Sequence, residues 1–369
     1  MRGLSSLGNE LYTGRRSVRI VGRRRTWFTI ALALVVASVL VLAVKGMNLG
    51  IEFRGGSQFT VSGAATLDQQ PAADVVAELS GEPPRISTVG SDSLRVQTAE
   101  LTSEETQQLR DGLAEAYDVP PEDVTATFVG PSWGQDVTTK ALQGLVIFLV
   151  LVSLVMAAYF RTWTMSVAAI VALLHDLVAT VGVYALVGFE VTPASVIGFL
   201  TILGYSLYDT VVVFDKVREN NADLYTQHRR TYAEGANLAV NQTLVRSINT
   251  SVVGLLPVAS ILFVGAFLLG AGTLRDIALA LFVGMLLSTY SSIFIATPLE
   301  VTLRERSEPI RKHTRAVLDH RARSRAVAGE TQEGEDLAAR TEDLTGVGVV
   351  AGQHLGHDAL PKRRKKGRR

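Results

Sequence analysis

The stretch ASVIGFLTILGYSLYDTVVVF, residues 194–214, decides the fold class of this chain. Its 21 residues are apolar almost without a break, and Asp209 is the one charged residue among them. A helix of this length reaches about 32 Å, and the hydrocarbon core of a bilayer is about 30 Å thick. The stretch therefore predicts a membrane-spanning helix, because a helix of a soluble protein would alternate polar and apolar faces.

Further stretches of the same kind lie on both sides of it. They run approximately over residues 27–45, 141–160, 163–189, 249–270 and 277–298. Arginines precede the first stretch, as they do in a signal peptide. Its apolar core is longer than a signal core and lacks a convincing cleavage site, so we interpret it as a retained signal anchor. The predicted fold class is a polytopic α-helical membrane protein with six transmembrane helices.

Charge differs sharply between segments, although the formal net charge is only +1. Residues 1–26 hold seven Arg, residues 46–139 hold fifteen acidic residues against four Arg, and residues 301–369 hold sixteen Lys plus Arg. Basic segments stay in the cytoplasm. We therefore predict a multi-pass protein of the plasma membrane with both termini cytoplasmic. Residues 27–45 form its first span, 46–139 an extracytoplasmic domain, 140–300 spans two to six, and 301–369 a basic, disordered tail.

Residues 46–139 show the periodicities of a soluble α+β domain. The predicted elements are a strand at 51–62, a helix at 71–79, strands at 85–89 and 94–98, a helix at 102–117 and a strand at 124–129. This order is that of a ferredoxin-like domain. Gly55 and Gly56 indicate a β-bulge or a close backbone approach. The chain has no Cys and this domain has no His, so we expect no disulfide, no metal site and no cofactor.

Ionisable residues inside the spans are the candidate functional groups, because each costs about 2.5 to 3.5 kcal/mol near a helix centre. Asp176 lies thirteen residues into the third span, about 20 Å deep. Asp209 lies about 9 Å from the predicted cytoplasmic edge, near the side where Arg246 enters the fifth span. An ion pair of Asp209 with Arg246 would favour the ionised carboxylate and so the release of a proton.

We predict proton coupling through Asp209, Arg246 and Asp176. Two plainer interpretations remain open at this point: Asp176 as a protonated group tied to a neighbouring helix, and Arg246 as a cytoplasmic anchor. Polar residues on the same or neighbouring helices are predicted to support the coupling group. These are Ser206, Thr210, Asn241, Thr250 and Ser291.

Several motifs make the chain resemble the SecD/SecF family of the bacterial Sec protein-translocation machinery, on its SecF side. That family is related to the resistance-nodulation-division (RND) transporters. The resembling stretches follow in order from about residue 27 to 300, and His175-Asp176 is one of them. The others are MNLGIEFRGGSQF at 47–59, VGPSWGQDVTTKAL at 129–142, GYSLYDTVVVFDKVREN at 204–220, NQTLVR at 241–246 and STYSSIFIA at 288–296.

The resemblance implies six spans, one ferredoxin-like domain and use of the proton gradient to promote polypeptide export after the ATP-driven step. It also implies partners: SecD as a similar six-span half, the SecYEG channel, the SecA ATPase, a YajC-like accessory subunit, translocating unfolded polypeptide and membrane lipid. The family residues tied to proton movement map onto Asp209 and Arg246. After NQTLVR the family has more threonines than this chain, which has Val252, Val253 and Gly254 there.

Other functions are compatible with single features of the sequence. Asp176 and Asp209 on neighbouring helices suit an intramembrane aspartyl protease, but the Gly-x-Gly-Asp motif of those enzymes is absent at Asp176. An RND-type small-molecule exporter would use the same proton chemistry but normally has twelve spans in one chain. A scaffold without proton coupling would leave the buried Asp residues without a function. We therefore do not expect an enzyme.

Overall fold

A computed structural model describes residues 9–13, 15–80, 84–89, 92–265 and 272–324. The end of the predicted fifth span at residue 270 lies outside the described residues. So does the predicted tail from residue 325 onward.

Helices dominate the described chain, and one small sheet and one short ladder accompany them. The helices are α1 (Arg24–Lys45), α2 (Ile51–Arg54), α3 (Gln70–Ser80), α4 (Ser103–Ala116), α5 (Pro131–Phe160), α6 (Trp163–Val187), α7 (Pro193–Asn220), α8 (Tyr232–Ser260), α9 (Gly272–Ser291), α10 (Thr297–Arg304) and α11 (308–324). The strands are β1 (Asn48–Leu49), β2 (Gly56–Val61), β3 (Arg85–Val89), β4 (Ser93–Thr98), β5 (Val124–Val129) and β6 (Glu190–Val191).

Six helices in the described chain are long and apolar enough to cross a bilayer, which confirms the predicted number. They are α1, α5, α6, α7, α8 and the continuous rod of α9 and α10. A π-helical segment, Ser292–Ala296, joins α9 to α10. The helix α5 begins at Pro131, so it runs through residue 139, where the sequence places the end of the domain. We call the end of the bundle where α1 ends and α5 begins the domain side.

The bundle has a packed centre and an apolar periphery. Half of the most apolar stretch of α6 is buried, and 44% of those of α7 and α9, against 11% for α1, α5 and α8. Glycines allow two close approaches. A Cβ on Gly182 would lie 2.2 Å from Ser38 Oγ on α1, and one on Gly198 would lie 2.6 Å from Ala280 Cβ on α9. The central helices α6, α7 and α9 are therefore those that can hold buried polar groups.

Residues between α1 and α5 form the predicted ferredoxin-like domain. Its four strands make an antiparallel sheet in the order β3-β4-β2-β5, with α3 and α4 as the two crossovers. In β2 the inward residues are Phe59 and Val61, and in β4 they are Leu94 and Val96; all four are fully buried. They pack with Val76 of α3 and with Leu109 and Leu113 of α4. Helix α4 begins with a capping box, since Thr102 Oγ1 accepts a hydrogen bond from the Glu105 N–H and the Glu105 carboxylate accepts one from the Thr102 N–H.

The predicted strand at 51–62 is wrong over its first part. Residues Ile51–Arg54 form one helical turn, α2, and the strand begins only at Gly56. Gly55 ends the turn with φ +81°, and its N–H donates to Ile51 O at 2.7 Å. Gly56 follows at φ +123°. The two successive positive φ angles interrupt an extended run at this point, so the strand starts only at Gly56, and apolar content alone does not reveal them.

The domain is joined to the bundle at the turn between α6 and α7. There β1 pairs in parallel with β6, matching Asn48 with Glu190. The Glu190 carboxylate accepts hydrogen bonds from the Arg95 guanidinium and the Gln97 side-chain amide, both on β4. Sheet and membrane helices therefore meet through a partly buried ion pair and a short ladder.

Glu52 of α2 stands beside this junction. Its Oε2 is buried and has no hydrogen-bond partner among the described residues. Burial raises the pKa of the Glu52 carboxyl above its ordinary value, and the nearby Glu190 carboxylate acts in the same direction. The protonated form is thus favoured in the folded protein, and the stability this contributes is lost as the pH rises through the raised pKa.

We expect the substitution Glu52→Gln to raise the melting temperature at neutral pH, because an amide has no charged form to desolvate. The difference from the wild type should close as the pH falls to about 4, the ordinary pKa of Glu. Thermal unfolding of the purified protein in detergent at a series of pH values measures this. A difference that is constant with pH would contradict it.

Candidate functional site

Asp176 of α6 lies at the centre of the bundle, tied by hydrogen bonds to two neighbouring helices. It is 1% exposed, and its Oδ2 accepts hydrogen bonds from Ser206 Oγ of α7 and from Ser291 Oγ of α9, each at 2.7 Å. The neighbouring His175 Nδ1 lies 3.2 Å from Asp176 Oδ1. The predicted supporting roles of Ser206 and Ser291 therefore correspond to direct contacts with this carboxyl group.

Asp209 lies on α7, one helical turn beyond Ser206. It is 7% exposed, and its Oδ1 accepts a hydrogen bond from Ser247 Oγ of α8 at 2.7 Å. Its Oδ2 is buried and has no hydrogen-bond partner among the described residues. One oxygen of this carboxyl group is thus fixed by a hydrogen bond, and the other accepts none, although the Ser292 side chain lies near the carboxyl.

Hydroxyl groups place the two carboxyls in one polar layer. Thr210 Oγ1 donates to Ser292 Oγ at 3.1 Å, and Ser292 Oγ lies 3.5 Å from the backbone carbonyl of Ser206. Ser206 in turn holds Asp176, and it precedes Asp209 by three residues, about 4.5 Å along α7. The layer therefore spans α6, α7, α8 and the end of α9.

The π-helical segment begins at Ser292, inside this layer. Such segments are rare, and in known proteins they are often found at functional sites. Ionising a buried carboxyl in apolar surroundings costs free energy, because the charged form loses its hydration. A nearby positive charge or hydroxyl donors reduce that cost. The chemistry that this arrangement suits is uptake and release of a proton, coupled to small movements of the four helices.

Arg246 does not pair with Asp209 in the structure. Its side chain is exposed, and among the described residues no ion pair joins it to Asp209, although its charge lies near enough to act on that carboxyl. Its neighbour Ser247 takes that place. Consecutive helical residues point about 100° apart, so only one of the two can face α7. The coupling role of Arg246 stays a prediction.

Two of the predicted supporting residues lie apart from the polar layer. Asn241 holds the segment before α1: its Oδ1 accepts from the Val18 N–H at 2.7 Å and its Nδ2 donates to Val18 O at 3.0 Å. Asn237, one turn earlier, accepts from the N–H groups of Ile20 and Val21. Thr250 is half-buried on α8, and no described hydrogen bond links it to either Asp. Asn241 thus has a structural task in this conformation.

Three buried polar residues were not predicted from the sequence: Ser247, Ser292 and Glu300. Ser247 and Ser292 lie in the polar runs of the fifth and sixth spans, and their angular position would have distinguished them. Glu300 lies two residues beyond the predicted end of the sixth span, yet it is fully buried. Within the described ranges, no group of three or more His, Cys, Asp or Glu residues is arranged to hold a metal ion.

Two family models match the chain. The model described as protein export membrane protein SecD/SecF, C-terminal, matches residues 110–306. The model described as SecD/SecF GG motif matches residues 40–63, which include Gly55 and Gly56.

Individual relatives agree with these matches. The chain is 46% identical over 343 residues to the protein translocase subunit SecF of Streptomyces coelicolor, covering 93% of this chain and 92% of that protein. It is 44% identical over 365 residues to the SecF subunit of Mycobacterium tuberculosis, covering 95% and 82%. The crystal structure of SecDF from Thermus thermophilus, a translocon-associated membrane protein, superposes with a TM-score of 0.70 at 32% identity. It covers 79% of this chain, which spans 39% of that longer chain.

Proposed function

The chain belongs to the SecD/SecF family of protein-export membrane proteins, as a SecF-type translocase subunit, and on that premise we propose that it couples proton movement through Asp209 to polypeptide export. The proton would enter from the domain side and leave toward the opposite side. The gradient thereby promotes export after the ATP-driven step.

The observation that carries this proposal is the free oxygen of Asp209. A carboxyl 7% exposed within an apolar bundle needs a reason to be there. A purely structural Asp would have both oxygens satisfied, as the several partners of Asp176 illustrate. Asp209 keeps Oδ2 unpaired beside four helices that share its hydroxyl layer. A change in its protonation therefore changes the contacts between those helices.

The working unit includes a SecD-type half. The Thermus relative carries both names in one chain, and this chain matches 39% of it. The helices α1, α5 and α8 expose most of their apolar surface. Such surfaces are suited to lipid and to the spans of a second half. We further infer the SecYEG channel, the SecA ATPase and a YajC-like subunit as partners, on the strength of the family alone.

The charge asymmetry supports an orientation. Both basic termini would lie in the cytoplasm, and the acidic ferredoxin-like domain would lie outside the plasma membrane. There it could contact the emerging unfolded polypeptide and transmit the state of the bundle through the ion pair of Arg95 with Glu190.

Membrane vesicles that contain the chain together with its SecD-type partner test the proposal. Export of a model polypeptide is followed with a proton gradient, and again after an ionophore has dissipated it. We expect the increment due to the pair to require the gradient. An equal increment without a gradient would reject proton coupling.

Substitutions at Arg246 should separate charge from shape. Because the side chain is exposed and makes no direct bond to Asp209, Arg246→Lys should retain most gradient-dependent export. Arg246→Met should lose about tenfold, if a positive charge near Asp209 is what assists proton release. The same vesicle assay measures both variants. Equal loss in Lys and Met variants would instead indicate that the guanidinium itself is required.

A further inference from the structure

Glu300 is a further buried carboxyl group in the bundle, apart from Asp176 and Asp209 of the polar layer. It lies on α10, the last turns of the sixth span, and is 0% exposed. Its Oε1 accepts a hydrogen bond from Tyr232 Oη at 2.7 Å and lies 3.4 Å from Thr164 Oγ1. Its Oε2 is buried and has no hydrogen-bond partner among the described residues. The carboxyl thus shares with Asp209 the combination of one bonded and one free oxygen.

Glu300 and its two partners, Tyr232 and Thr164, lie at the same depth in the bundle. Tyr232 is the first residue of α8, Thr164 is the second of α6, and Glu300 is four residues from the end of α10. All three helix ends lie on the side opposite the domain. Glu300 follows Ser292 by eight residues, which corresponds to about 12 Å along the helix. It therefore lies between the Asp209 layer and the surface away from the domain.

A purely structural role does not fully explain why a carboxyl group is buried at position 300. Ala296, one turn earlier in the chain, belongs to the apolar core of the bundle. The charged groups that act on the carboxyl are Arg304, one turn later on α10, and Glu305 beyond it. A hydrogen-bond acceptor for Tyr232 needs only one oxygen, which a Gln would supply without a buried ionisable group. Burying the second oxygen without a hydrogen bond costs free energy. A role in binding a proton would explain why a carboxyl is nevertheless present here.

We propose that Glu300 is a proton-carrying residue between Asp209 and the side of the membrane opposite the domain. The inference rests on the proposed function and adds the next group on the path. The O–H bond of protonated Asp209 breaks, water admitted between the two levels carries the proton, and a new O–H bond forms at Glu300 Oε2. That bond then breaks as the proton passes to water beyond Tyr232, and no electrons change hands.

Tyr232 and Thr164 have a positioning role in this scheme. Their hydroxyls hold Oε1, so Oε2 keeps one direction while the proton arrives and leaves. Since Tyr232 lies on α8 and Thr164 on α6, these hydrogen bonds can form only while both helices are packed against α10. Removing the Tyr232 hydroxyl should therefore shift the pH at which Glu300 takes up its proton but leave proton movement itself in place.

The test compares Glu300→Gln with the wild type in vesicles that contain the chain and its SecD-type partner. Proton uptake is measured while the pH on the side opposite the domain is varied, and Glu308→Gln, an exposed carboxyl ion-paired with Lys312, is the matched control. We expect Glu300→Gln to lower the rate about tenfold and to remove its dependence on that pH, whereas the control keeps both. Infrared difference spectra on acidification should lack one carboxylic C=O band in Glu300→Gln. Wild-type rates and an unchanged band pattern would overturn the proposal.

Three further variants separate the possible reasons for a loss. If Glu300→Gln fails to fold, Glu300→Asp, which keeps a carboxyl, decides: retained pH dependence supports the proposal, and a rate independent of pH opposes it. Tyr232→Phe should shift the pH profile without abolishing it.

Asp209→Asn distinguishes the two proposals. Normal export in Asp209→Asn rejects coupling through Asp209 and with it the path to Glu300, whereas loss there with no effect in Glu300→Gln rejects only the role of Glu300.

Discussion

Replacing Asp209 by Asn is expected to abolish gradient-dependent export, with a loss of about a hundredfold in the gradient-driven rate. Asn has nearly the same shape and can still accept the hydrogen bond from Ser247 Oγ, which is 2.7 Å long in the wild type. It cannot exchange a proton. The variant should therefore insert into the membrane and assemble normally, and only the response to the gradient should disappear. Export by proton-loaded vesicles, with the amount of inserted chain measured in parallel, gives the result.

A matched control is available six residues further along α7. Asp215 is half-buried at the surface of the bundle and accepts a hydrogen bond from Oη of the exposed Tyr159 at 2.7 Å, so its carboxylate already contacts solvent. Asp215→Asn should leave gradient-dependent export within about twofold of the wild type, because exposed pairs contribute little. Ser247→Ala should lie between the two, since it removes a partner of Asp209 but keeps the carboxyl. Unchanged export in Asp209→Asn would exclude this residue from proton movement.

Replacing Gly56 by Ala is expected to destabilise the ferredoxin-like domain by about 3 to 5 kcal/mol. Two effects add. The backbone has φ +123°, which residues with a side chain rarely adopt, and an added Cβ would lie 2.4 Å from the backbone oxygen of Thr98. That oxygen belongs to β4, which pairs with β2 along its whole length, so it cannot move aside without opening the sheet. Hydrogen exchange of the β2 and β4 amides in the full chain measures the loss.

Gly63 separates backbone strain from steric overlap. It also has a positive φ, +69°, but an added Cβ there would meet no atom within 4 Å. Gly63→Ala should thus cost only about 1 to 2 kcal/mol. Equal destabilisation by the two substitutions would show that overlap with Thr98 contributes nothing. The Gly55-Gly56 pair is then explained physically, because Gly55 in turn approaches Pro131 at the start of α5, with a would-be Cβ 2.8 Å from its Cα.

The apolar stretches of the sequence by themselves determined six membrane-spanning helices, since a run of about twenty apolar residues has no other stable place. The strand and helix order of the domain followed from local periodicity and from caps such as that of Thr102 with Glu105. The burial of Asp176 and Asp209 followed from their depth within those stretches. Each of these properties depends on residues close together in the chain.

Only the tertiary structure decided which groups meet. Whether Arg246 or Ser247 faces Asp209 depends on the rotation of α8 about its axis, and a mostly apolar helix has no strong periodicity that sets this rotation. The burial of Glu300 depends on Tyr232 and Thr164, which are 68 and 136 residues away in the chain. The helical turn Ile51–Arg54 depends on the two glycines that follow it and on the approach of Pro131. Periodicity reports which residues are apolar, whereas contacts across helices are selected by packing of the whole bundle.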